Sequence, residues 1–145
     1  MNYLKGVITA ALLAFAGLAI AAPQVTVYKD PECGCCGAWV DHLKANGFAV
    51  KVHEVRDMTP HKQRLGVPER LSGCHTAAAG GYTIEGHVPA AEIKRLLAER
   101  PKAKGLAVPG MPQGSPGMET GKLDPYDVLL FETNGTTRVY RSYGK

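Results

Sequence analysis

Val25-Thr26-Val27-Tyr28-Lys29-Asp30-Pro31-Glu32-Cys33-Gly34-Cys35-Cys36-Gly37-Ala38-Trp39-Val40 changes its hydrophobic period in mid-course. Val25 to Lys29 alternates apolar and polar residues and is rich in β-branched types, the pattern of a strand with one buried face. From Gly37 to Asn46 the apolar residues Trp39, Val40 and Leu43 recur at helical spacing, and Gly47 stands where a C-terminal cap belongs. Three of the chain's four cysteines fall in the turn between the two. A strand that feeds a helix through such a turn predicts an α/β fold with thiols at a helix N-terminus. There, exposed backbone N–H groups and the helix dipole favour thiolate over thiol.

Beyond this turn, Ala49 to Val55 alternates again and predicts a second strand. Thr59 as N-cap and Pro60 at the first helical position predict a short helix, ended by Gly66 and Pro68. His75 to Gly80 and Tyr82 to Glu85 read as two short strands joined through Gly80-Gly81. Pro89 then opens a helix with Ile93, Leu96 and Leu97 on one face and Pro101 as its stop. Gly105 to Gly121, rich in Gly and Pro and carrying Met111 and Met118, predicts an ordered loop. Tyr126 to Phe131 and Thr137 to Arg141 flank Asn134-Gly135 and predict a closing β-hairpin. The β-α-β-α-β-β-α order is that of a thioredoxin-like fold. In that fold the loop entering the third strand packs opposite the first helix N-terminus, which sets Cys74 against the turn of Cys33, Cys35 and Cys36.

Residues 1–22 read as a secretory signal peptide, with Lys5 as the basic flank, an apolar run from Val7 to Ile20 and small residues at Ala19-Ile20-Ala21. The apolar run is shorter than the roughly 20 residues a bilayer span needs and lacks a basic stop-transfer flank. Cleavage then leaves residues 23–145 as one domain with a modest core and no membrane span. The net charge of +4 comes without a basic run or interleaved aromatics, which argues against a nucleic-acid partner. No Ser-His-Asp set or paired-carboxylate site stands out, and Gly80-Gly81 lacks the Lys-Ser/Thr of a phosphate loop. Hydrolase and nucleotide chemistry are set aside.

Cysteines in an exported chain usually pair. Here the adjacent Cys35 and Cys36 cannot both reach Cys74 as independent staples, and a Cys33 to Cys36 bond closes too short a loop to gain much chain entropy. Metal or redox chemistry is therefore expected over a structural framework. The two-residue spacing of Cys33 and Cys36 between strand and helix fits a redox dithiol. Cys35, wedged between them, has no use in a simple dithiol oxidoreductase, whereas three adjoining thiolates suit a soft metal, Cu(I) first and Zn(II) second. Cys74-His75 adds a thiolate and an imidazole. A solvent-facing His75 is as well supported as a metal-facing one, and for His87 a capping or surface role stands level with metal contact. His42, His53 and His61 read as solvated, Trp39 as core. Met111 and Met118 read as apolar plugs over the site rather than ligands.

Taken together, Val27 to Pro31 with Cys33-Gly34-Cys35-Cys36, Trp39-Val40, Cys74-His75-Thr76-Ala77, Gly81 to Pro89 and Gly105 to Glu119 resemble the small periplasmic bacterial copper-resistance proteins of the CopG type. The resemblance implies a periplasmic, thioredoxin-like protein whose cysteines hold copper as a cysteine-bridged, multinuclear Cu(I) cluster. It also implies a role in handling copper or interconverting Cu(I) and Cu(II), alongside other periplasmic copper-handling proteins. Carried over by position, the ligands are Cys33, Cys35, Cys36 and Cys74, extended to His75. Gly73 departs from the Ser expected before the cysteine. Two alternatives stay open: a thiol–disulfide oxidoreductase or isomerase using Cys33 and Cys36, and a structural zinc site.

Overall fold

The computed structural model describes residues 20–145, so the expected signal peptide lies outside the described residues except for its last three positions. Among the described residues, seven strands and three helices follow one another as β1 (Gln24–Lys29), α1 (Gly34–Ala45), β2 (Ala49–Glu54), α2 (Thr59–Arg64), β3 (His75–Ala79), β4 (Tyr82–Gly86), α3 (Ala90–Glu99), β5 (Gly105–Val108), β6 (Tyr126–Phe131) and β7 (Thr137–Tyr143). A 3-10 turn at Glu69–Leu71 precedes β3. The strands form one mixed sheet in the order β2-β1-β3-β4-β5-β6-β7. β1 pairs in parallel with β2 and β4 with β5; the other neighbours are antiparallel. Through α3 this is the β-α-β-α-β-β-α order of the thioredoxin-like fold.

The register divides the sheet into two faces. Val25 and Val27 of β1 stand beside Val50 and Val52 of β2 and beside Ala79 and Ala77 of β3, which in turn stand beside Tyr82 and Ile84 of β4. This apolar face packs on Trp39, Val40 and Leu43 of α1 and on Ile93 and Leu96 of α3 in the main core. The opposite face carries Thr26, Tyr28, Thr76, Thr83 and Glu85, and Leu71, Ala107 and Phe131 form a smaller cluster that Leu129 joins. Thr83 Oγ1 donates to the Leu65 carbonyl at 2.7 Å, tying the segment after α2 to that face. The closing hairpin is anchored to α3: Tyr143 donates to Glu92 at 2.7 Å and Tyr140 to Glu99 at 2.9 Å.

Two sequence expectations change. Helix α1 begins at Gly34 with Cys33 as its N-cap, so Cys35 and Cys36 sit in the first helical turn rather than in a connection ending at Gly37. Burial of Trp39, Val40 and Leu43 in the main core carries the helix back to Gly34 despite the low helix propensity of Gly34 and Gly37. The second change is larger. Gly105 to Val108 is not loop but β5, a fully buried strand in the middle of the sheet. It is four residues long and apolar on both faces, so it has no alternation to betray it. Its first residue must be Gly, because a Cβ there would lie 1.8 Å from the Thr83 carbonyl oxygen. The remainder of the segment, from Pro109, is the expected ordered loop. Smaller shifts place Met58 rather than Thr59 at the cap of α2, and end β3 at Ala79.

Candidate metal centre

β1 ends at Lys29, and the chain turns through Asp30-Pro31-Glu32 before α1. The Cys33 N–H donates to the Asp30 carbonyl at 3.2 Å, and Asp30 Oδ1 accepts the Glu32 N–H at 2.7 Å. This tight turn delivers Cys33 to the helix cap and projects Cys35 and Cys36 from the first turn. β3 runs antiparallel to β1 with His75 opposite Lys29, so the residue just before β3, Cys74, arrives at the same end of the sheet. One sulfur from each of Cys33, Cys35, Cys36 and Cys74 lies within 4.8 Å of the others.

The four sulfurs are not equivalent. Cys33 and Cys36 are joined as a disulfide, whereas Cys35 and Cys74 are free thiols. Cys35 Sγ lies 3.5 Å from Cys33 Sγ. Cys36 is buried and the other three are half-buried, which leaves an approach from solvent. Burial, reinforced by the neighbouring Cys35, pushes the Cys74 thiol up to about 12. A metal entering here must displace that proton.

Cys74 also belongs to a second group with His75 and His87. His75 faces the interior, not solvent: it is 0 % exposed, its ring lies 4.3 Å from that of Trp39, and its Nε2 has no hydrogen-bond partner. Burial, with His87 nearby, holds its imidazole down at about 3, so it is neutral at any ordinary pH. Its Nδ1 stands 3.4 Å from Cys74 Sγ.

His87, equally buried, stands edge-on to His75 at 4.9 Å between ring centres. Its Nδ1 is 2.8 Å from the Pro116 carbonyl, which can only accept, so Nδ1 carries the hydrogen. The other nitrogen, Nε2, therefore turns its lone pair to Cys74 Sγ at 3.3 Å. That lone pair can accept a hydrogen bond from the thiol or bind the metal that replaces its proton. Burial lowers the pKa of His87 as well, keeping the lone pair available.

The Pro116 carbonyl belongs to the loop after β5, which lies across the site. Gly117 marks the closest approach: at φ +87°, a Cβ would meet the Cys35 carbonyl at 2.7 Å, the Trp39 nitrogen at 2.9 Å and His87 Nδ1 at 3.2 Å. The two methionines of this loop differ in exposure. Met118 is half-buried beside Gly117, but Met111 is 43 % exposed. His42, expected to be solvated, is half-buried and accepts the Ala90 N–H at 3.0 Å, closing the first turn of α3. His53 and His61, also expected to be solvated, are half-buried against Tyr28, their rings stacking on it at 5.2 and 4.4 Å on the other side of the sheet. Trp39 is core, as expected, and its indole N–H donates to the Val88 carbonyl at 2.8 Å.

With the Cys33–Cys36 disulfide reduced, the donor set fits a soft metal: four sulfurs converge, two neutral imidazoles adjoin one of them, and a buried ring nitrogen lacks a partner. Sequence reasoning left His87 undecided; its signal was the position directly after a strand that ends beside Cys74. Glu85 and Lys62, which bear on the Cys74 loop from behind, were missed altogether, although an acid inside the apolar strand Tyr82–Gly86 was a visible anomaly.

Two solved structures match the chain, with the descriptions "Copper resistance protein copG- Form 2" and "Copper resistance protein copG- Form 1". Each is 47 % identical and is matched over 84 % of this chain and 98 % of its own, with TM-scores of 0.80 and 0.79 respectively. The model of a family described as "Protein of unknown function, DUF411" matches residues 71–118, which include Cys74, His75, His87 and Gly117. Among curated proteins, none matches.

Proposed function

The chain belongs to the family of the copper resistance protein CopG, and on that premise we propose that it is an exported, periplasmic protein that holds Cu(I) between Cys33, Cys35, Cys36 and Cys74. The observation that carries this reading is the convergence of four sulfurs within 4.8 Å, from two distant parts of the chain. Thiolates are soft donors that select Cu(I), and sulfurs this close can bridge several ions. His75 and His87 supply imidazole nitrogens, which also suit Cu(II), so one site can hold either oxidation state and pass an electron to or from an external partner. Copper here is cargo or substrate. The chain's own part, once an external thiol has reduced Cys33–Cys36, is to supply thiolates, hold His87 with its Nε2 lone pair toward Cys74, and keep water away with the Pro116-Gly117-Met118 segment.

Reduced protein should bind Cu(I) tightly in an anaerobic titration against a chromophoric chelator. Trp39, the one tryptophan, lies against His75 and should lose emission as copper enters. Binding undiminished by Cys35→Ala and Cys74→Ala together would remove the shared-cluster reading.

The Cys33–Cys36 disulfide specifically favours a second reading, that of a thiol–disulfide oxidoreductase. It requires the metal-free protein to turn over disulfide substrates in dependence on Cys33 and Cys36 and independently of Cys74. A metal-free sample that neither reduces nor isomerises disulfides eliminates it.

A further inference from the structure

Cys74 lies in irregular backbone between the 3-10 turn and β3, so neither helix nor sheet fixes where its sulfur stands. Something else does. Behind it, on the sheet face opposite α1, the Glu85 carboxylate is fully buried. Its Oε1 accepts the Gly73 N–H at 2.6 Å, and its Oε2 accepts the Thr76 hydroxyl at 2.6 Å. The Lys62 ammonium, reaching in from α2, donates to Glu85 Oε1 and to Thr76 Oγ1, the latter at 2.9 Å. One carboxylate thus grips the residues on either side of the Cys74-His75 pair, and one ammonium locks that carboxylate to a helix. Gly73 is pressed close as well, since a Cβ there would lie 3.2 Å from Gly86 Cα.

A buried ion pair is poor value as pure stabilisation, because the cost of desolvating both charges offsets much of their attraction. Apolar side chains would fill the same space. What apolar packing cannot supply is direction: three charge-assisted hydrogen bonds from fixed donors set the position of a loop to a fraction of an ångström. We propose that Glu85, Lys62 and Thr76 are positioning residues that hold Cys74 at the distance from Cys33, Cys35 and Cys36 that a shared copper site needs. The proposal rests on the copper reading above. Outer hydrogen bonds of this kind are typically worth about 10- to 100-fold in metal affinity.

Thr76→Val keeps the shape of the side chain while removing both the donor to Glu85 and the acceptor for Lys62; Glu85→Gln removes the charge. Each is compared by Cu(I) competition titration in the wild-type and Cys74→Ser backgrounds. The expected result is a loss of about 10-fold or more in the wild-type background and no further loss in Cys74→Ser. In the metal-free reduced chain, Thr76→Val should speed alkylation of Cys74, resolved by peptide mass analysis, and leave that of Cys33 unchanged. Equal losses in both backgrounds, or unchanged affinity, overturn the proposal alone. A wild-type chain that takes up no Cu(I), or a Cys74→Ser chain that binds as tightly as wild type, removes the copper reading and the proposal with it.

Discussion

Gly117→Ala offers a perturbation whose size can be worked out from the structure. At φ +87° an alanine incurs a left-handed backbone cost of about 1–2 kcal/mol. Its Cβ would also fall 2.7 Å from the Cys35 carbonyl and 2.9 Å from the Trp39 nitrogen, both backbone atoms of α1 that cannot swing away. The segment must lift instead, taking the Pro116 carbonyl from His87 Nδ1 and losing a hydrogen bond worth about 1 kcal/mol. The sum is about 2–3 kcal/mol, or a fall in Tm of about 10 °C for a domain of this size. His87, freed to change tautomer, should also weaken Cu(I) binding. Gly121→Ala is the control: it has φ +85° but nothing within 4 Å of its Cβ, so it should show the backbone cost alone and leave copper affinity untouched. Thermal unfolding of the metal-free chains and chelator competition of the loaded ones provide the readouts. If Gly117→Ala melts like Gly121→Ala and binds Cu(I) like wild type, the segment does not seat on the site.

The metal-free chain should also lose stability in acid through His75. Its folded pKa of about 3 lies below the ordinary 6.5, so its contribution is complete above pH 6.5 and is lost as the pH falls toward 3. Each pH unit in that window should cost up to about 1.4 kcal/mol, and His75→Gln should flatten the slope of denaturant midpoint against pH. Oxidation state should gate loading: with Cys33–Cys36 bridged, only Cys35 and Cys74 remain as thiols, so untreated protein should take up less Cu(I) than protein reduced beforehand. Equal uptake by both forms would contradict the four-sulfur site. Gly105→Ala should abolish soluble expression or collapse Tm, because its Cβ would strike the Thr83 carbonyl inside the sheet.

Much of the scaffold was legible because its signals are local. The switch of hydrophobic period between Val27 and Trp39 places the cysteines at a helix start, and Gly80-Gly81 and Asn134-Gly135 mark the turns that join β3 to β4 and β6 to β7. β5 was not legible, since Gly-Leu-Ala-Val buried on both faces carries no period and sits within a Gly- and Pro-rich stretch. Cys33, Cys35 and Cys36 were legible by crowding, and Cys74 through the strand order that brings the start of β3 to the same turn. His75 and His87 were not, because strand alternation leaves the facing side undetermined until β1 and β3 fix the register with His75 opposite Lys29. The Lys62–Glu85 grip was invisible for a related reason: the two residues are 23 positions apart, and only the folded sheet brings them together behind Cys74.

Copper-edge X-ray absorption of reduced, Cu(I)-loaded protein tests the central claim most directly. A sulfur-dominated shell with copper–copper scattering, the scattering lost in Cys35→Ala/Cys74→Ala, is the predicted result. A shell of nitrogen and oxygen alone, unchanged by those substitutions, would contradict it.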